Sequence, residues 1–200
     1  MAGLIWAGAG LATLAALGAV WSVLPRPPGE ASPEVSFARD MSAHHAQAVD
    51  MSVILLKRAA DPAVRLLAQD ILLTQQAQIG QMGGWLMAWG RPLSGRDAPM
   101  AGMNRSQMGL ASASDVAQLQ DLPVNTAQTR YLTLMRRHHQ GGVAMARSAL
   151  KTVKRPEVQA FAQRVVSAQT AEIQAIDALL AQRLIDTAPV QPEMDGMPHE

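Results

Sequence analysis

Cysteine is absent from this 200-residue chain. That excludes disulfides, thiolate catalysis and zinc or iron–sulfur sites built on thiolates. Any soft metal ligand must then be methionine, of which there are 12. Charge is also sparse: Asp, Glu, Lys and Arg make up 16% of the residues, and the net charge is +1. Acids and bases are interspersed, so no basic stripe marks a nucleic-acid partner. No Ser-His-Asp arrangement, P-loop or dinucleotide fingerprint occurs, and the "GAG" at Gly8–Gly10 falls inside an apolar run where it says nothing of nucleotides. No segment alternates polar and apolar residues between turns as a strand does.

Long apolar sequence is present only at the start. Ala2 to Leu24 holds no charged residue, and at about 1.5 Å per residue a helix of that length crosses a hydrocarbon core of about 30 Å. A Pro-rich spacer, "PRPPGEASPE", follows. Trp6 and Trp21 stand near the two ends of the run, as interfacial anchors do. The run lacks the Lys or Arg of a signal n-region, and no clean cleavage site precedes Pro25. An uncleaved membrane anchor is therefore expected ahead of a cleaved export signal, with the protein facing the periplasm or cell exterior, or secreted if cleaved. Arg26 is the only nearby flanking basic residue and a weak cue to orientation. The expected organisation is an anchor and spacer over 1–33, one folded domain over 34–188 and a disordered tail over 189–200.

The domain repeats. "FARDMSAHHAQAVDMS" (Phe37–Ser52) realigns with "YLTLMRRHHQGGVAMA" (Tyr131–Ala146) at an offset of 94 residues. The register pairs Met41 with Met135, His44 with His138, His45 with His139 and Met51 with Met145. It runs on without a gap through Pro62 and Pro156, Gln75 and Gln169, and Ile79 and Ile173. A repeat fixes architecture. Each copy, about 35–89 and 129–186, reads as two helices. The second opens on Pro62 or Pro156, where the missing N–H costs little, and Asp61 is a candidate N-cap. Two such hairpins make an all-α four-helix bundle behind an N-terminal apolar helix. The Met-rich linker between them has one candidate short helix, "SASDVAQLQ", with Ser114 as its cap.

Of five histidines, four stand in the two pairs. At about 100° per residue, Met41, His44, His45, Ala48 and Ser52 share an arc, with Met51 at its edge. So do Met135, His138, His139, Gly142 and Ala146, with Met145 at the edge. On the second helices Gln75, Gln78, Ile79 and Met82 share a face, as do Gln169, Glu172, Ile173 and Ile176. If both stripes face inward, four imidazoles and several thioethers converge. Imidazole and thioether suit copper, and imidazole also suits other transition metals. Gln78 or Glu172 offers an oxygen ligand or an acceptor for an imidazole N–H. The competing reading is a buried hydrogen-bond network. A di-iron centre is disfavoured because it needs several inward carboxylates, whereas Asp40 and Asp50 lie off the arc and Glu172 is the only acid on the paired face.

The remaining methionines have plainer readings. Met82 and Met87 are expected to fill core gaps, and Trp85 and Trp89 to pack. Met100, Met103 and Met108, in "PMAGMNRSQMG", and Met194 and Met197 with His199 in the tail are expected to be incidental exposed residues, with weak capture of Cu(I) or Ag(I) as the alternative.

The paired Met-x-x-His-His helices, each followed by a helix carrying Gln-x-x-[Glu/Gln]-Ile, resemble the bacterial family called domain of unknown function 305. The resemblance covers Val35 to Arg183. It implies a ferritin-like helical fold, export and, from some members, copper handling. On it, Met41, His44, His45 and Met51 match one motif, Met135, His138, His139 and Met145 the other, and Gln75, Gln169 and Glu172 the partner helices. The family often has an acid where this chain has Gln78, and a linker histidine that this chain lacks.

The expected function is therefore extracytoplasmic metal binding, with copper sequestered or delivered and no turnover. Its alternatives are a metal-dependent oxidoreductase and a structural or interaction module. The partners are a metal ion, the membrane through the N-terminal segment and a second copy of the chain. Binding is expected to weaken as pH drops through about 6.5, the ordinary imidazole value.

Overall fold

The computed structural model describes residues 26–186. The apolar run Ala2–Leu24 and the tail from Pro189, with the expectations attached to them, lie outside the described residues. Among the described residues all regular structure is helical: α1 Pro33–Leu56, α2 Pro62–Ala88, α3 Ala113–Asp121, α4 Val124–Ala149 and α5 Pro156–Asp186. No described helix is long and apolar enough to cross a membrane.

The helix starts follow local chemistry. Ser32 accepts a hydrogen bond from the Val35 N–H ahead of Pro33. Asp61 accepts from Ala63 and Val64 ahead of Pro62, each cap being worth about 1 kcal/mol. The cap of α3 is Ser112, not Ser114. The Ser112 hydroxyl accepts the Asp115 N–H, and the Asp115 carboxylate in turn accepts the Ser112 N–H. Only Ser112 stands three residues before the acid that closes this box, and Ser114 merely shares a hydrogen bond with the Ser112 hydroxyl.

α1 packs along α2 and α4 along α5, and the two hairpins meet where α1 crosses α4. Buried polar ties fix the crossing. Glu34 accepts the Lys154 N–H at 2.7 Å, and the Gln128 side chain accepts the N–H groups of Ala60 and Asp61. The core falls into two apolar clusters. One gathers Phe37, Met41, Met82, Leu86, Met145 and Phe161; the other gathers Met51, Leu55, Ile71, Leu132, Met135 and Ile176. Full burial of each such side chain stabilises by about 1.5–3 kcal/mol. Between the clusters, along both α1 and α4, lie the histidine pairs.

Three methionines differ from expectation. Met82 is a core residue, but Met87 is 67% exposed because it faces outward near the end of α2. Met100 is only 6% exposed and joins the first cluster, and Met108 is half-buried against it. The linker is folded onto the bundle, which is why these residues are not surface side chains. Trp85 and Trp89 do pack: their rings stack at 6.0 Å, and Trp85 meets Phe161 edge-on at 5.2 Å.

Candidate metal centre

All four paired histidines are fully buried. His44 and His138 meet at the crossing of α1 and α4, their ring centroids 3.8 Å apart and tilted by 33°. His45 lies 6.3 Å from His44, and His139 lies 6.1 Å from His138. Each Nε2 is committed. His44 donates to the Met108 carbonyl at 2.9 Å, and His138 to the His44 carbonyl at 2.9 Å. His45 donates to Gln78 Oε1, and His139 to Glu172 Oε2, each at 2.7 Å. Carbonyl and carboxylate oxygens only accept, so Nε2 carries the proton. In a neutral imidazole the lone pair then sits on Nδ1. None of the four Nδ1 atoms has a partner among the described residues.

Three of the rings are held neutral. Burial pulls the His44 value down to about 4 and the His45 value down to about 3, the latter helped by the neighbouring His44. Burial, with the surrounding histidines, places His138 well below the ordinary value. Protonation of these three rings therefore sets in below the ordinary imidazole value, because a buried ring resists charging.

One helical turn before Gln78 and Glu172 stand Gln75 and Gln169, both buried, with neither amide atom of either paired. Gln169 is pressed against Gly142, where an added Cβ would come within 2.3 Å of its Oε1. Four imidazole nitrogens and two amide groups are thus buried donors or acceptors without partners among the described residues. Each costs about 1–3 kcal/mol if left unmade. That set fits a borderline or soft metal: neutral nitrogen donors, fixed tautomers, and carboxylate or amide support behind each outer ring.

The expected site residues do not form one cage. Among the described residues no group of three or more His, Asp or Glu side chains is poised to hold a metal. The methionines separate: Met41 and Met145 belong to one apolar cluster, Met51 and Met135 to the other. Their burial is accounted for by packing on either side of the histidine layer.

Sequence reasoning missed the linker's part. Met108 contributes its main-chain carbonyl, and the chain reaches it by passing over α4. An added Cβ on Gly141 would fall 1.8 Å from the Met108 oxygen, and one on Gly109 would fall 2.0 Å from the Arg137 oxygen. Gln47 clamps the same segment, donating to the Ala111 carbonyl at 2.9 Å and accepting the Ala111 N–H at 2.8 Å. The signal was the glycine pair at 141–142 in mid-helix, which costs about 1 kcal/mol per residue relative to Ala and so implies a close approach.

Comparison with known proteins agrees with this architecture. A family model described as Domain of unknown function (DUF305) matches residues 34–180. A DUF305 protein from Streptomyces coelicolor taken to be secreted shares 41% identity, covering 76% of this chain and 94% of its own, with a TM-score of 0.71. A DUF305 fragment from Deinococcus radiodurans shares 39% identity over 79% of this chain and 99% of its own, with a TM-score of 0.69. CopM in its Cu(I)-bound form shares 25% identity over 76% of this chain and 97% of its own, with a TM-score of 0.57. CopM has also been solved with Cu(II) and with Ag bound. No curated protein matches the chain.

Proposed function

The chain belongs to the DUF305 family, and from that premise we propose that it is an extracytoplasmic copper-binding protein that sequesters or delivers the ion. The ion is cargo, taken up by the Nδ1 lone pairs of His44, His45, His138 and His139. Met41, Met135, Met51 and Met145 are auxiliary soft donors beside the layer, and Gln75, Gln78, Gln169 and Glu172 support it. The observation that carries this reading is the set of four buried Nδ1 atoms without partners, on rings whose Nε2–H groups are already spent. The copper forms of CopM support the choice of metal, and the Streptomyces relative supports a location outside the cytoplasm.

Charge favours the monovalent ion. A buried charge needs a counter-charge. Among the described residues Glu172, 19% exposed, is the carboxylate that bonds one of these histidines. One carboxylate offsets one positive charge, whereas a divalent ion would leave an excess in a dry layer.

Competition titration of Cu(I) against a chromophoric chelator tests the proposal. His45→Gln with His139→Gln keeps polar side chains in the layer and should weaken Cu(I) binding by about two orders of magnitude. Unchanged affinity in a folded variant would overturn it. A second reading, in which the layer is a structural polar network, is favoured by the four Nε2–H bonds that already tie the rings to the fold. It predicts a melting temperature indifferent to added copper.

A further inference from the structure

A cavity of about 360 Å³ lies beside the histidine layer. One face of α1 (Phe37, Asp40) and one face of α4 (Met145, Ser148) form its walls, and the linker covers it with Met103 and Met108. Three methionines thus line one largely apolar hollow, at graded depth. Met103 is 41% exposed, Met108 is half-buried, and Met145 is 7% exposed.

The linker is pinned to α1 at both ends of this stretch. The Met100 N–H donates to Asp40 at 2.7 Å, and the Met108 carbonyl receives the His44 Nε2–H. Between them the chain turns through positive φ at Met100 (60°) and Gly102 (77°). For a non-glycine residue that conformation costs about 1 kcal/mol or more and persists only where surrounding contacts hold it. Asn104 then closes a turn by accepting the N–H groups of Ser106 and Gln107. The result holds Met103 and Met108 over the hollow. Filling an apolar groove would need no sulfur in particular. Three thioethers with one carboxylate on the same lining suit a soft, weakly hydrated monovalent cation.

We propose that Met103, Met108 and Met145 form a capture site for a soft monovalent ion, Cu(I) or Ag(I), with Asp40 as its counter-charge, distinct from the four imidazoles and leading to them through Met145, which the two places share. The proposal rests on the copper reading above, and extends it. Met103 meets the ion at the surface and Met145 at depth. Met108 joins the two places, its side chain in the hollow and its carbonyl on His44.

The test is Ag(I) titration of the full chain labelled with ¹³C at the methionine methyl groups, with the histidine ring signals followed in parallel. The methyl signals of Met103, Met108 and Met145 should move together within the first equivalents. That of Met87, exposed and alone, should move only later. In the Met103→Leu, Met108→Leu chain, which conserves volume and leaves the Met108 carbonyl in place, one equivalent of tight Ag(I) binding should be lost while the ring signals still respond. Moving ring signals with unmoved Met103 and Met108 methyls overturn this proposal and leave the histidine reading standing. The three methyls moving with silent rings supports the capture site and overturns the histidine reading. Full stoichiometry in the double variant overturns the capture site.

Discussion

The two histidine pairs differ in what stands behind them. In the first half His45 donates to an amide, Gln78, while in the second His139 donates to a carboxylate, Glu172, across the same 33-residue step. In the first half Ala48 and Gln47 occupy the turn after the pair, and in the second Gly142 and Gly141 do. Gln47 reaches out to hold the linker, whereas Gly141 lets the linker in. As a result His138 bonds directly to the backbone of α1, while His44 bonds to the linker instead of to α4. The second half carries the charge and receives the linker; the first half holds the linker in place.

Acid should erase that difference with the largest effect. His44, His45 and His138 have folded values far below the 6.5 of a free imidazole. The unfolded chain therefore binds more protons between about 4 and 6.5. Stability is complete above the unfolded value and falls as pH drops below it. The loss is about 1.4 kcal/mol per pH unit for each ring until the folded value is reached. Urea unfolding should show a steep decline between pH 6.5 and pH 4.5, several kcal/mol in all. A flat profile would mean that these rings are hydrated in the folded chain.

Gly141→Ala attacks the linker's entry. The new methyl would meet a backbone oxygen 1.8 Å away, which cannot swing aside as a side chain does. Overpacking and an unpaired His44 N–H together should cost about 3 kcal/mol after the helix-propensity gain. The counterpart, Gln47→Ala, loses two hydrogen bonds and should cost about 1–2 kcal/mol. Chemical denaturation of both variants measures the asymmetry, and equal costs would break it.

The same asymmetry explains what could be read in advance. Helices, their proline starts and the Asp61 cap are local, and periodicity with cap chemistry revealed them. The histidine pairs and their Gln78 and Glu172 partners were legible because the repeat places them at matching steps along neighbouring helices. What was not legible is where the irregular linker lies. Nothing local says that Met100 turns inward, that Met108 offers its carbonyl to His44, or that Met87, next to the buried Leu86, points to solvent. The separation of the methionines into two clusters likewise depends on where α1 crosses α4, a tertiary fact that arcs drawn on single helices do not contain.

Glu172→Gln makes the second half chemically like the first. An amide accepts the His139 N–H but brings no charge, so on the proposed reading the ring becomes a poorer donor at Nδ1 and a cation bound in the layer would lose its counter-charge. Affinity for Cu(I) should fall about tenfold, near 1.4 kcal/mol, with folding stability little altered. Gln78→Glu should strengthen binding in the first half by a similar factor. A competition titration on both variants would sharpen the comparison, and equal effects of opposite sign would identify charge as the difference between the halves.

The smallest effect should come from a pair that only one half possesses. Ser52 and Tyr131 share a fully buried hydrogen bond of 2.8 Å, while the counterpart positions are Ala146 and Phe37, which have no hydroxyl to share. Burial raises the Tyr131 phenol further above its ordinary value, so it remains a neutral O–H at any working pH. Tyr131→Phe alone leaves the Ser52 hydroxyl without its partner, and Ser52→Ala alone strands the phenol; each should cost about 1–2 kcal/mol. The two together replace the pair by the solution the other half already uses. Their combined cost should be well under 1 kcal/mol. The interaction energy from the four urea midpoints then measures the bond itself. Additive losses would show that the two hydroxyls act independently, each satisfied elsewhere in the core.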